Sequence, residues 1–233
     1  MTTVAMLEPS RWGGKALPGQ DELPSDDGET LETSFHHAQG CLLIDSLVSW
    51  SARRDFYVAG NMFIYFSEHQ IRSNDFRGPD VFVVLDTDRK GRKSWVAWEE
   101  GGKLPDVVIE IVSDSTAEVD RGEKKRIYAR VWRTPAYFIF DPETSELEAY
   151  RLDVDHLGYV PITPDARGDF PVPGLGLSMG LRWSNYRDLD RLYMRWIDAD
   201  GNPLLIGDER ADLERERADH ERRRADALAE RVR

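Results

Sequence analysis

Residues 105–113 read Pro-Asp-Val-Val-Ile-Glu-Ile-Val-Ser. The run from Asp106 to Val112 is apolar on both faces apart from its acids, which is typical of a central strand covered on both sides. A second compact run, Asp80-Val-Phe-Val-Val-Leu85, follows Gly78-Pro79 and also predicts a strand. The two runs therefore predict neighbouring strands at the centre of a sheet.

A helix is expected directly after the central strand. Ser115-Thr-Ala-Glu118 has the capping-box pattern, which predicts a helix from about 117 to 132, and Thr134-Pro135 ends it. Strands are predicted at 136–140 and 147–152. The order strand, helix, strand, strand indicates a mixed α/β (α+β) fold.

The flanking segments complete the predicted organisation. A first helix over 34–53 and a strand over 56–66 precede the central strands, and short strands near 159–162 and 176–179 precede a helix over 186–196. We therefore divide the chain into four parts: a flexible arm (1–30), a main domain (31–185), a helix and hairpin extension (186–207) and a charged helix (208–233).

The composition is that of a globular protein with one core. The 233 residues are 40% hydrophobic and 32% charged. The longest apolar runs fall far short of the roughly 20 residues that cross a bilayer, and the N-terminus has no secretory pattern. Cys41 is the single cysteine, which excludes an internal disulfide and a cysteine-built zinc site. We expect a cytoplasmic protein without membrane segments.

The net charge is −12, which argues against non-specific electrostatic binding of nucleic acid. Positive charge is concentrated between Arg89 and Arg133, where eleven basic residues face eight acidic ones. Within that segment the loop Arg89-Lys90-Gly-Arg92-Lys93 is a candidate clamp for a nucleic-acid backbone, although a merely solvated loop explains it equally well.

Two acids on the predicted central strands are the first candidates for chemistry. Asp80 opens one strand and Glu110 lies inside the next, where an ionised carboxylate is costly unless it is compensated. A divalent cation would compensate both, and oxygen ligands suit Mg²⁺ or Mn²⁺. His36 and His37 are adjacent, hence on diverging helix faces, and are not expected to bind one metal together.

The predicted helix brings a lysine back to these acids. Three strand residues carry the chain roughly 10 Å past Glu110, and eight helical residues return it roughly 12 Å, so Lys124 should lie level with Glu110. Asp120, Lys124 and Tyr128 share one helical face. An ammonium there could orient a water and stabilise charge on a phosphate. The alternative is an Asp120–Lys124 surface pair beneath a buried acid that backbone donors satisfy.

These segments, together with Tyr137-Phe-x-x-Asp141-Pro142, resemble the Uma-type restriction endonuclease family of the PD-(D/E)XK nuclease-like superfamily. The resemblance implies a restriction-endonuclease-like mixed β-sheet flanked by helices and Mg²⁺-dependent phosphodiester hydrolysis. By position, Asp80 matches the metal-binding aspartate and Glu110 the acid of the second motif. The lysine expected two residues later is replaced by Val112, and its function is assigned to Lys124.

Further roles follow from this resemblance. Glu32 resembles the acidic residue that the family carries at its first helix, which binds metal or water. The metal would be held by Asp80, Glu110 and the backbone carbonyl of Ile111. Asp120 would support Lys124. Tyr128 would support Lys124 or contact a phosphate, although a buried aromatic side chain on the core side of the helix explains it equally well.

Two functions follow from the sequence. The first is a metal-dependent endonuclease that uses Mg²⁺, with Mn²⁺ as a substitute, and DNA as its favoured substrate. The second is a catalytically inactive nuclease fold that dimerises or binds partners through its C-terminal helix.

The tail repeats Arg-Ala-Asp every seven residues, placing Ala211, Ala218, Ala225 and Val232 on one stripe. The paired positions Glu214 and Glu221 are charged, so a solvated helix competes with a coiled coil.

Overall fold

A computed structural model of the chain describes residues 11–12, 15–19, 22, 33–50, 55–67, 78–113 and 116–231. Most of the predicted arm, residues 1–30, lies outside the described residues. Within it, two short strands, β1 (Arg11–Trp12) and β2 (Lys15–Ala16), pair in antiparallel fashion.

A six-stranded mixed sheet forms the centre of the protein. Its members, in chain order, are β3 (Phe56–Ala59), β5 (Val81–Leu85), β7 (Val107–Ile111), β8 (Ala136–Asp141), β9 (Glu146–Asp153) and β10 (Gly158–Pro161). The spatial order is β10-β9-β8-β7-β5-β3, and β7 runs parallel to β8 and antiparallel to β5. Every residue of β7 is buried, so the predicted central strand is confirmed.

Helices cover this sheet on both faces. Helix α1 (Ser34–Trp50) confirms the first predicted helix, and α2 spans 117–132, as predicted. Alternate residues of β5 and β7 enter two separate apolar clusters, the period-two pattern of a sheet with two covered faces. Residues of α1 join one cluster and residues of α2 the other. The α+β fold class with a sheet between helices is therefore confirmed.

The start of α2 differs from the capping-box prediction. Ser115 lies outside the described residues, and Ala117 follows Thr116, whose side chain makes no capping bond to the helix. The Thr116 hydroxyl instead accepts a hydrogen bond from the amide of Ser113 at 3.1 Å. It therefore closes the loop that enters the helix.

The helix predicted over 186–196 is wrong. Strands β12 (Leu177–Tyr186) and β13 (Leu189–Ile197) form a hairpin there, extended by β11 (Phe170–Val172). The turn residues Arg187 and Asp188 both have positive φ, 52° and 60°, as a two-residue hairpin turn requires. The last five residues of β13 are all buried, which hid the alternation that marks a strand.

The single strand predicted over 56–66 is two strands. After β3, the backbone turns at Asn61, which has a φ of 49°, and continues as β4 (Ile64–Tyr65). This short strand leaves the main sheet and pairs in parallel with β6 (Trp95–Val96). The left-handed residue is the physical cause of the break.

The charged tail forms a long helix, α3 (Gly207–Arg231), as predicted. Most of its described side chains are exposed. The buried Arg195 guanidinium of β13 donates to both oxygens of Glu209, at 2.9 and 2.8 Å, and so holds the first turn of α3 to the body. Among the described residues, no helix has the length and apolar character to span a membrane.

Candidate active site

Strand register places the two predicted acids side by side. Val81 pairs with Ile109, so Asp80, one residue earlier, lies next to Glu110. The Asp80 amide donates to Glu110 Oε2 at 3.4 Å, and the Ile111 amide donates to Asp80 Oδ2 at 2.6 Å. The sequence prediction that neighbouring strands bring these carboxylates together is confirmed.

Glu110 is completely buried and lies between two polar groups of α2. The Tyr128 hydroxyl donates to its Oε1 at 2.7 Å, and Lys124 Nζ lies 3.1 Å from its Oε2. Burial raises the pKa of Glu110 to about 8, against the opposing effect of the Lys124 ammonium. A divalent cation would add to that opposing effect and favour the carboxylate.

Lys124 connects the two acids on either side of it. Its ammonium lies 2.7 Å from Asp120 Oδ1, and the Asp120 side chain is only 2% exposed. Burial lowers the pKa of Lys124, but the carboxylates of Glu110 and Asp120 more than offset burial and raise it. The surface-pair alternative is therefore wrong, because Asp120 is buried and Glu110 is contacted by the side chains of Tyr128 and Lys124 rather than by backbone donors alone.

The hydrogen-bond register of α2 aligns these side chains. Asp120, Lys124, Tyr128 and Trp132 follow at a strict four-residue spacing, and four residues of an α-helix rotate about 400°, a drift of about 40° per step. Segments Asp120–Lys124 and Tyr128–Trp132 are π-helical. Their hydrogen bonds join residues i and i+5, so each turn contains more residues than a turn of an α-helix. The wider turns reduce the drift, so one stripe faces the sheet along the whole helix.

His36 also reaches this site, which sequence reasoning missed. Its Nε2 lies 2.8 Å from Asp80 Oδ1, and both side chains are mostly buried. A Cβ atom added at Gly40, one turn further along α1, would make ordinary contacts with Val81 Cγ2 at 3.8 Å and with the Asp80 carbonyl oxygen at 4.0 Å, so this part of α1 packs against the strand that carries Asp80. No local sequence pattern indicates the contact of His36, because its partner is 44 positions away.

The remaining predicted site residues are Ile111, next to the Asp80–Glu110 pair, and Glu32; Val112 stands where the superfamily has a lysine. Ile111 is adjacent to Glu110 and binds Asp80 through its amide. Val112, which stands at the expected lysine position, is buried in the apolar cluster beneath α2. Glu32 lies outside the described residues.

The donor set fits a small divalent cation with oxygen preference. Each carboxylate oxygen has two lone-pair positions, and the bonds above leave positions vacant on both Asp80 and Glu110. Among the described residues, no three His, Cys, Asp or Glu side chains form a metal cluster by themselves. A Mg²⁺ site needs fewer than three such side chains, because one or two carboxylates bind Mg²⁺ together with water molecules and a substrate phosphate.

One of the four basic residues in the predicted nucleic-acid-binding loop, Arg92, has a structural role instead. Arg92 is buried, and its guanidinium donates to Glu100 at 2.7 and 2.9 Å and to Asp88. It is therefore not available to a phosphate, and the prediction for Arg92 is wrong. Arg89, Lys90 and Lys93 are exposed, with Arg89 stacked 4.4 Å above the Phe56 ring.

Comparison with known protein families identifies the class of this chain. Residues 20–188 match the model of a family described as "Uma2: Putative restriction endonuclease". The chain belongs to this family, and membership supports nuclease function and implies a nucleic-acid substrate.

Among solved structures, one described as "a putative nuclease belonging to DUF820 from Anabaena variabilis" is similar to this chain. It has 19% sequence identity and a TM-score of 0.43, over 66% of this chain and 88% of that chain. A search of curated proteins gave no match.

Proposed function

We propose that the chain is a Mg²⁺-dependent endonuclease that hydrolyses phosphodiester bonds, with Mn²⁺ as a substitute cation. The observation that carries the proposal is that the buried Glu110 carboxylate lies within hydrogen-bonding distance of both the Asp80 amide and the Lys124 ammonium. A buried carboxylate beside a second carboxylate is costly unless cations compensate it. One ammonium is present, and a divalent cation completes the compensation.

Each side chain has a role that its contacts support. Asp80 and Glu110 would hold the cation, with the Ile111 carbonyl as a further oxygen donor. The cation would polarise the scissile phosphate and lower the pKa of water. Lys124, fixed between Asp120 and Glu110, orients the attacking water and stabilises developing negative charge. Tyr128 fixes the rotamer of Glu110 through its hydroxyl.

DNA is the proposed substrate, because the family description names restriction endonucleases, which cut DNA. The exposed cations Arg89, Lys90 and Lys93 are proposed to contact its backbone. The cytoplasm is the proposed location, where Mg²⁺ and nucleic acid are both present.

The test is cleavage of supercoiled plasmid and of single-stranded oligonucleotides in Mg²⁺, in Mn²⁺ and in chelator. Asp80→Asn and Glu110→Gln preserve side-chain size while removing the charge that holds the cation. We expect metal-dependent cleavage by the natural chain and losses of about 10²–10³ in each variant. Cleavage that survives either substitution, or that persists in chelator, would rule out this site.

A second function rests on α3. Its largely exposed surface and its anchor through Arg195 and Glu209 favour a helix that holds a second copy of the chain or another partner. Light scattering on the full chain and on one ending at Arg215, which keeps Glu209, discriminates between the functions. If the measured molar mass falls by about half on truncation, α3 holds a dimer together. If the number of chains per particle is the same for both lengths, α3 does not have that role.

A further inference from the structure

His36 belongs to the first turn of α1, yet its imidazole contacts the strand that carries Asp80. The Nε2 to Oδ1 distance is 2.8 Å, and the two side chains are 12% and 15% exposed. Its neighbour His37 is exposed and instead contacts Cys41 Sγ at 3.5 Å. The two adjacent histidines therefore have different surroundings, and only His36 faces the candidate active site.

The direction of this hydrogen bond follows from chemistry. An ionised carboxylate only accepts hydrogen bonds, so the Nε2 atom carries the hydrogen and donates it to Asp80 Oδ1. Oδ2 already accepts from the Ile111 amide. With both oxygens held, the carboxylate plane is fixed, and the vacant lone pairs have set directions.

Fixed lone pairs matter for a magnesium ion. Mg²⁺ demands near-ideal octahedral geometry and tolerates misplaced ligands poorly. Held by the Ile111 amide alone, the Asp80 carboxylate could rotate about its Oδ2 contact. The hydrogen bond from His36 Nε2 to Oδ1 supplies a second point of attachment and prevents that rotation.

We propose that His36 is a positioning residue that orients the Asp80 carboxylate for the divalent cation. The inference rests on the proposed function, since it assigns His36 to the same site. Hydrogen-bonding partners of metal-binding carboxylates and histidines are worth about 10–100-fold in metal affinity or activity. The role is distinct from catalysis, because His36 acts through Asp80.

The test is calorimetric titration of the full chain with Mn²⁺ in the absence of nucleic acid. We expect His36→Ala to weaken Mn²⁺ binding by about 10–100-fold. His36→Gln, whose amide nitrogen can replace the Nε2 donor, should recover most of the affinity. His37→Ala is the matched control, and we expect it to bind Mn²⁺ as the natural chain does.

Cleavage kinetics supply a second readout. The Mn²⁺ concentration that gives half-maximal cleavage should rise in His36→Ala, while kcat at saturating Mn²⁺ stays near that of the natural chain. A fall in kcat without any change in Mn²⁺ dependence would overturn the positioning role.

The outcomes separate this inference from the proposed function. Unchanged Mn²⁺ affinity in His36→Ala, with binding abolished in Asp80→Asn, overturns the role of His36 alone. Unchanged affinity in Asp80→Asn overturns the proposed function. If His36→Ala does not fold, the comparison of His36→Gln with the natural chain decides, and a loss of about tenfold or more in that variant would contradict donation through Nε2.

Discussion

At the residue scale, the proposed chemistry depends most on Lys124. Its ammonium contacts the buried carboxylates of Glu110 and Asp120, and it belongs to a helix that also carries Lys125. Lys125 faces a different group, with its Nζ 3.2 Å from the centroid of the Tyr150 ring. The two adjacent lysines therefore provide a matched pair of cations, one inside the site and one outside it.

We predict that Lys124→Met lowers the cleavage rate by about 10²–10³, because it removes the cation proposed to stabilise charge on the phosphate. Lys125→Met should cleave at close to the natural rate. Single-turnover rates at saturating Mg²⁺ measure both variants. An equal fall in cleavage rate in the two variants would mean that positive charge in general, rather than the position of Lys124, supports activity.

A second residue-scale prediction concerns the buried pair of Arg92 and Glu100. The hydrogen bonds from Arg92 are the main cause that lowers the pKa of Glu100 in the folded protein. Because the folded pKa lies below the unfolded one, the pair contributes stability above the unfolded value of about 4.3. That contribution is lost as the pH falls through the folded value.

We therefore expect Glu100→Gln to lower the free energy of unfolding by about 1.5–3 kcal/mol near neutral pH. The difference from the natural chain should shrink below about pH 4. Denaturant unfolding at several pH values measures it, with Glu99→Gln, an exposed neighbour, as the control. A difference that stays constant down to about pH 3 would contradict the lowered pKa.

The residues of the site illustrate what a sequence can and cannot predict. Asp80 and Glu110 could be found because an acid inside an apolar strand is costly, and Lys124 because strand and helix rises return it to the same level. His36 was missed because adjacency to His37 was used to judge metal binding, while its partner is 44 positions away. Arg92 was misjudged because no local pattern indicates burial with Glu100.

At the element scale, Gly60 at the end of β3 determines how closely the strands approach at the site. A Cβ atom there would overlap the carbonyl oxygen of Asp80 and come within 3.2 Å of Ile44 Cδ1. Its φ is not in the left-handed region, so the requirement is space rather than backbone conformation. The close approach of β3 to Asp80 therefore needs glycine.

We predict that Gly60→Ala displaces Asp80 and lowers cleavage by about 10²-fold, the cost of a misplacement of about 1 Å. Overpacking should also cost about 1–3 kcal/mol of stability. Gly158→Ala in β10 is the control, since a Cβ atom added there would meet nothing within 4 Å. Natural activity in Gly60→Ala would show that Asp80 does not depend on this packing.

The elements that were predicted correctly show the hydrophobic periodicity of a helix or a strand, and the elements that were predicted wrongly do not. Helix α2 was predicted to its ends, but its π-helical segments could not be, because propensity does not distinguish five-residue from four-residue hydrogen bonds. The segment 186–196, which contains most of β13, was predicted as a helix because the last five residues of that strand are buried on both faces and show no alternation. The β12–β13 turn also uses Arg187 at positive φ, where glycine or asparagine is the usual signal.

At the scale of the whole molecule, a buried ion pair between Arg195 and Glu209 attaches the first turn of α3 to the body. The side chain of Arg195 is 1% exposed and that of Glu209 is 28% exposed. Arg195 also donates to the Leu204 carbonyl and to Ser184. Removing Glu209 would leave a buried guanidinium without its carboxylate.

We predict that Glu209→Ala lowers the free energy of unfolding by about 3 kcal/mol, the lower end of the cost of breaking a buried pair. Asp212→Ala removes a carboxylate from an exposed pair with Arg215 on the same helix, and should change stability by less than about 0.5 kcal/mol. Denaturant unfolding compares them. Equal effects would mean that α3 is held by contacts other than Arg195.

The central claim is that Asp80 and Glu110 bind one divalent cation, and diffraction from crystals soaked in Mn²⁺ tests it most directly. We predict an anomalous scattering peak about 2.0–2.2 Å from an oxygen of each carboxylate, and its absence from crystals of Asp80→Asn treated in the same way. A fully occupied peak elsewhere, with none between these two side chains, would contradict the claim.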